Sequence, residues 1–160
     1  MVARVPGADA AYTCAGFHPD GILLGTGTGK TVRIWDVKTQ ASAANFEGHA
    51  GEVTCLAFSE NGYYLATGSA DACVKLWDLR KPKIIHSLST SAPVSSVGFD
   101  FSGAFLAVGA AELAVHETKG WAEVASFAPG AAVSSVGFTR GAALVAAGGA
   151  DGVVKVYGAK

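Results

Sequence analysis

The sequence predicts an all-β fold assembled from tandem copies of one antiparallel sheet, and three observations carry that prediction. Dense apolar stretches alternate with a period of two rather than 3.6. A strand-ending phenylalanine recurs at even spacing, as Phe17, Phe58, Phe99 and Phe138. Each is followed by a hairpin signal, Asp20-Gly21, Asn61-Gly62, Ser102-Gly103 and Arg140-Gly141.

After each turn a second apolar run ends at Gly25-Thr26-Gly27, Thr67-Gly68, Val108-Gly109 or Gly148-Gly149. A third closes at Ile34-Trp35-Asp36, Leu76-Trp77-Asp78, Val115-His116-Glu117 or Val156-Tyr157. Weaker strands fill the spaces between copies, Ser42 to Phe46, Ile84 to Leu88 and Trp121 to Phe127, so the first three copies have four strands each. The expected division is an N-terminal extension over 1–11 and repeats over 12–47, 48–89, 90–128 and 129–160. The last repeat stops after three strands, and Val2 to Val5 is the segment that could supply a fourth. Runs such as Gly130-Ala131-Ala132 and Gly141-Ala142-Ala143 predict looser packing in the third and fourth copies.

Composition narrows the function classes. Half of the 160 residues are apolar, which argues against disorder. Net charge is -1 with scattered Lys and Arg, too weak a field to hold a phosphate backbone, so direct nucleic-acid binding is not expected. No apolar stretch approaches the roughly 18 residues of a membrane span, and no secretory signal is visible, so a soluble intracellular protein is expected. The cysteines are odd in number; Cys14 and Cys55 each stand three residues before a repeat phenylalanine and read as small core hydrophobes. Neither metal nor cofactor is expected.

The copy from Gly48 to Asp78 is the best formed, and its polar residues suit one another. If three adjacent strands bring them together, Asp71 can bond the ring of His49, His49 can bond Thr67, and Thr67 can meet the indole N–H of Trp77. The same four types could serve as a catalytic relay. A threonine locked by its own bonds favours the structural role. Only this copy holds all four, because the Trp position becomes His116 and Tyr157 in the last two copies.

Four-stranded units with Gly48-His49 at a start and Trp-Asp at two ends resemble WD repeats, whose fold is a β-propeller. Longer strings, Phe17-His18-Pro19-Asp20-Gly21, Phe58 to Thr67 and Val74 to Lys81, resemble the carboxy-terminal part of the pre-mRNA-processing factor 19 family. That resemblance implies a protein-binding propeller of a spliceosomal U-box ubiquitin ligase, in the nucleus, with the cytoplasm as the alternative, and with splicing or ubiquitination proteins as partners. No stretch of this sequence resembles the U-box or the tetramerising coiled coil of that family, so no ligase chemistry is expected within these residues. Propellers of this type close with about seven blades, so four copies are expected to be part of a larger ring in a longer protein, with a two-chain ring through open edges or a compact four-blade ring as the alternatives.

Three other stretches invite functional readings. Gly25 to Thr31 imitates a phosphate-binding loop, but GxxxxGK[ST] requires glycine where Leu24 stands and a helix where Val32 to Trp35 reads as a strand. Trp77-Asp78-Leu79-Arg80 resembles the box through which some WD-repeat proteins dock as substrate receptors on cullin-type ligases, with Trp77, Asp78 and Arg80 as contacts. Loops on a rigid scaffold carry recognition, and one rim is expected to use Lys30, Glu52 and Glu112 as polar contacts. On the opposite rim the expected loops include His18 to Asp20, Arg80 to Lys83 and Asp100.

Overall fold

The computed structural model describes residues 11–158. Four antiparallel sheets follow one another along the chain, each with its strands in sequence order. The first holds β1 (Tyr12–Phe17), β2 (Leu23–Thr28), β3 (Thr31–Asp36) and β4 (Ala41–Glu47). The second holds β5 (Val53–Phe58), β6 (Tyr64–Ser69), β7 (Cys73–Asp78) and β8 (Lys83–Ser89). In the third come β9 (Ser96–Phe99), β10 (Phe105–Gly109), β11 (Leu113–Glu117) and β12 (Glu123–Phe127). Last come β13 (Val133–Phe138), β14 (Leu144–Gly149) and β15 (Val154–Gly158), a three-stranded sheet among the described residues. Val2 to Val5, the expected donor of a further strand, lies outside those residues.

The first hairpins of the first three sheets turn the same way. The glycine of the signal turns at positive φ, 70° at Gly21, 72° at Gly62 and 69° at Gly103, where a Cβ would be strained. In the second, third and fourth sheets the residue after the repeat phenylalanine then ties the turn with its side chain. Ser59 Oγ accepts from the Tyr64 amide at 3.0 Å, Asp100 Oδ1 from Phe105 at 2.7 Å and Thr139 Oγ1 from Leu144 at 3.1 Å. Asp100 is therefore fully buried, and the expectation that it belongs to a recognition rim is corrected. Its carboxylate is consumed by the backbone N–H groups of its own turn.

A second correction concerns the strand expected from Trp121. It begins at Glu123, because Trp121 turns at φ 64° and sends its ring back to the preceding sheet. There the indole stacks on His86 at 6.4 Å and meets the Tyr64 ring edge-on at 6.1 Å.

Packing between sheets makes the core, since each apolar cluster straddles a junction. Val32, Ile34 and Phe46 meet Val53, Leu65 and Trp77 at the first junction, and Val74, Leu76 and Leu88 meet Val97, Leu106 and Val108 at the second. Ala107, Leu113 and Val115 meet Val133, Val145 and Ala147 at the third. Two devices repeat at these junctions. The hydroxyls of Thr13, Thr54 and Ser95 reach the carbonyls of Val53, Val94 and Val133 on the following sheet. Opposite them a glycine leaves room for that sheet's valine: a Cβ on Gly27, Gly68 or Gly109 would stand 3.0, 2.4 or 2.6 Å from Val53, Val94 or Val133. No helix of the described residues is long and apolar enough to cross a membrane.

Candidate functional site: a rim of loops and the network beneath it

Beneath the loops of the second sheet, four side chains form one chain of hydrogen bonds. Trp77 Nε1 donates to Thr67 Oγ1 at 2.9 Å, Thr67 Oγ1 lies 2.8 Å from His49 Nε2, and His49 Nδ1 lies 3.0 Å from Asp71 Oδ2. Ala50 N–H also donates to Asp71 Oδ2 at 2.8 Å, and Cys73 N–H to its Oδ1 at 3.0 Å. Thr67 is fully buried, and Trp77 and His49 nearly so.

The electrostatics select one arrangement of protons. Burial lowers the pKa of His49 and outweighs the bond and charge of Asp71, so the imidazole is neutral at pH 7. For Asp71, desolvation pushes upward, but the hydrogen bonds from His49, Ala50 and Gly51 prevail and hold its carboxyl at about 2. Neutral His49 thus donates from Nδ1 to the carboxylate and accepts the Thr67 hydroxyl at Nε2, leaving the threonine oxygen for the indole. Every member is satisfied, which makes the network a clamp on the loop from Gly48 to Gly51.

The other sheets depart from it stepwise. In the first, Trp35 Nε1 donates to Thr26 at 2.9 Å. In the third, Val108 and His116 occupy the threonine and tryptophan places in the register, and in the fourth Ala147 and Tyr157. Tyr157 stacks on Phe127 at 4.3 Å instead.

Lys30, Glu52 and Glu112 are exposed on loops at one edge of the sheet series. Amide bonds join that edge from sheet to sheet: Val53 to the Gly29 carbonyl at 2.7 Å, Val94 to Ser69 at 3.0 Å and Val133 to Ala110 at 2.8 Å. Lys30 closes the two-residue turn between β2 and β3, so the glycine-rich stretch before it runs from strand to strand and presents no helix N-terminus to a phosphate.

At the opposite edge, Trp77 and Asp78 are buried and Arg80 is half-exposed. The guanidinium folds back, with Nε 3.0 Å from Asp78 Oδ1 and Nη2 2.8 Å from Oδ2, and lies 4.7 Å from the Tyr63 ring centre. Hydrogen bonding by Arg80 holds the Asp78 carboxyl at about 2. Of the three residues, Arg80 alone offers surface to a partner.

Burial raises the Cys55 thiol to about 11, which keeps it protonated. Among the described residues, no group of three or more His, Cys, Asp and Glu is placed to hold a metal ion. The hydroxyls at the sheet junctions were not singled out in the sequence. Their signal was a Thr or Ser four residues before each of the first three repeat phenylalanines, visible only once the copies are aligned.

Successive antiparallel sheets packed face to face, the second of them carrying a complete His–Thr–Trp–Asp network, define a WD-repeat protein with the fold of a β-propeller segment. The family described as WD domain, G-beta repeat matches residues 2–36, 40–78 and 121–158, and the chain belongs to it. The family model passes over the third sheet's first three strands, where Val108 and His116 replace the network. Among curated proteins, the chain is homologous to pre-mRNA-processing factor 19. Identity is 56% over 110 residues to that protein of Oryza sativa subsp. japonica, covering 66% of this chain and 21% of the relative. It is 44% over 120 residues to that of Homo sapiens, covering 73% and 24%. The chain thus spans about a fifth of the length of these relatives. Of solved structures, the structure of U3-55K superposes with a TM-score of 0.89 at 20% identity, over 97% of this chain and 51% of that one. The crystal structure of RRP9 WD40 repeats gives 0.88 at 21%, over 95% and 49%.

Proposed function

We propose that this chain is a noncatalytic protein-binding segment of a factor-19-like splicing protein, acting in the nucleus on partners of the splicing or ubiquitination machinery. The observation that carries this reading is the 56% identity to pre-mRNA-processing factor 19, which exceeds what strand and turn requirements alone impose. The geometry supports it: rigid sheets present a continuous edge of loops on which Lys30 and Glu52 are exposed beside the bonded Gly29–Val53 junction.

The test is retention of splicing proteins from nuclear extract on the immobilised chain, compared with a Lys30→Glu, Glu52→Lys double variant. Several-fold loss of the retained set in the variant is expected. Equal retention by both, or none above control, would remove the reading. The competing reading, docking on a cullin-ligase adaptor through Trp77, Asp78 and Arg80, rests on Arg80 alone for contact; Arg80→Ala would then release the adaptor and spare the splicing proteins.

A further inference from the structure

One position in the register distinguishes the third sheet from the others. Opposite the middle of the second strand stand Arg33 across from Thr26, Lys75 across from Thr67, Ala114 across from Val108 and Lys155 across from Ala147. Three repeats carry a cation there, and β11 carries a methyl group. In the second and fourth sheets the cation lies against the segment leading into its own sheet. The Lys75 stem runs beside Gly48, and Lys155 Nζ donates to the Pro129 carbonyl and lies 3.8 Å from Asp151.

The corresponding segment of the third sheet, Ser89 and Thr90, borders a cavity of about 220 Å³. Val108 and Ala114 supply apolar wall, and Glu112 and Glu123 also line it. Ser126 Oγ donates to Glu112 at 3.3 Å, and neither glutamate takes part in an ion pair among the described residues. No lysine or arginine lines the cavity.

His116 completes the lining. It is only 8% exposed, and its Nδ1 is buried without a partner. Burial lowers the pKa of His116, against the opposing effect of its bond to the Trp121 backbone.

We propose that this cavity receives a lysine or arginine side chain from a partner polypeptide, its stem along Val108 and Ala114 and its charged head between Glu112 and Glu123. The partner supplies the cation that the other three repeats carry themselves. The proposal rests on the protein-binding reading above and gives it a ligand chemistry.

The test is an NMR titration of the 160-residue chain with the capped peptide acetyl-Gly-Gly-Lys-Gly-Gly-amide, its arginine counterpart and its N-acetyl-lysine counterpart. Saturable shifts centred on residues 89–91, 112–116 and 123–126 are expected, with the acetylated peptide roughly tenfold weaker. The Glu112→Gln, Glu123→Gln pair should weaken binding about as much. Ala114→Lys, which restores the cation of the other repeats, should abolish it; thermal melting of each variant establishes that it is folded. Equal binding of the acetylated peptide, shifts centred elsewhere, or undiminished binding by folded Ala114→Lys would overturn the proposal. Absence of binding would do the same while leaving the Lys30 and Glu52 retention experiment to decide the broader reading.

Discussion

Thr67 and Thr26 occupy the same place in consecutive sheets and differ in how many bonds end on the hydroxyl. Thr67 serves both Trp77 and His49, Thr26 serves Trp35. Thr67→Val should therefore cost more than Thr26→Val, by about 1–3 kcal/mol, the penalty for a second buried group left unpaired; urea unfolding of the two variants measures the difference. Acid acts on the same network in two windows. The His49 pKa is depressed by folding, so below about 6.5 the unfolded chain binds a proton that the folded chain refuses, and stability falls with pH. Asp71, held at about 2, adds stability that is complete above its ordinary value near 3.8 and is lost as pH falls toward 2. Urea midpoints measured from pH 7.5 to 5 should fall for the natural chain and fall less for His49→Gln. At this scale, the fit between the four side chains could be read from their donors and acceptors. The burial of Asp100 could not, because an aspartate before a Ser-Gly turn looks like a solvated loop until its carboxylate is seen bonding the Phe105 amide.

Strands and turns were legible because each obeys a local rule: period-two alternation, and a glycine where φ must be positive. What escaped was set by the neighbouring sheet. The first strands shift register at Tyr12/Cys14, Val53/Cys55 and Val133/Ser135, and the residue between turns out of the ladder. That displaced residue is Thr13, Thr54 or Ser134, and the first two carry their hydroxyls to the next sheet. Trp121 failed as a strand residue for a related reason, its ring being held by His86 and Tyr64 of the sheet before. The glycine slots permit a sharp comparison. Gly68→Ala would drive a methyl against Val94 and should destabilise by about 1–3 kcal/mol. Gly148 occupies the same register, but a Cβ there meets nothing nearer than Ser134 Oγ at 3.4 Å, so Gly148→Ala should change the melting temperature little.

Across the whole molecule, the last sheet differs from the others in what it leaves uncovered. Val154 and Val156 are 69% and 59% exposed, and Ser134 bonds the Gly148 carbonyl of its own sheet. A face this apolar favours association. Sedimentation velocity of the 160-residue chain should show mass rising with concentration, and Val154→Glu with Val156→Glu should suppress the rise; a concentration-independent monomer would contradict this.

The Thr54–Val94 bond repeats the Thr13–Val53 bond 41 residues further on, and the Ser95–Val133 bond follows after a nearly equal interval. Evenly spaced fasteners of one kind make the chain a ratchet under tension. Held by its two ends in an optical trap, it should surrender length in near-equal jumps of about 14 nm, the reach of roughly 40 extended residues, rather than in one rip.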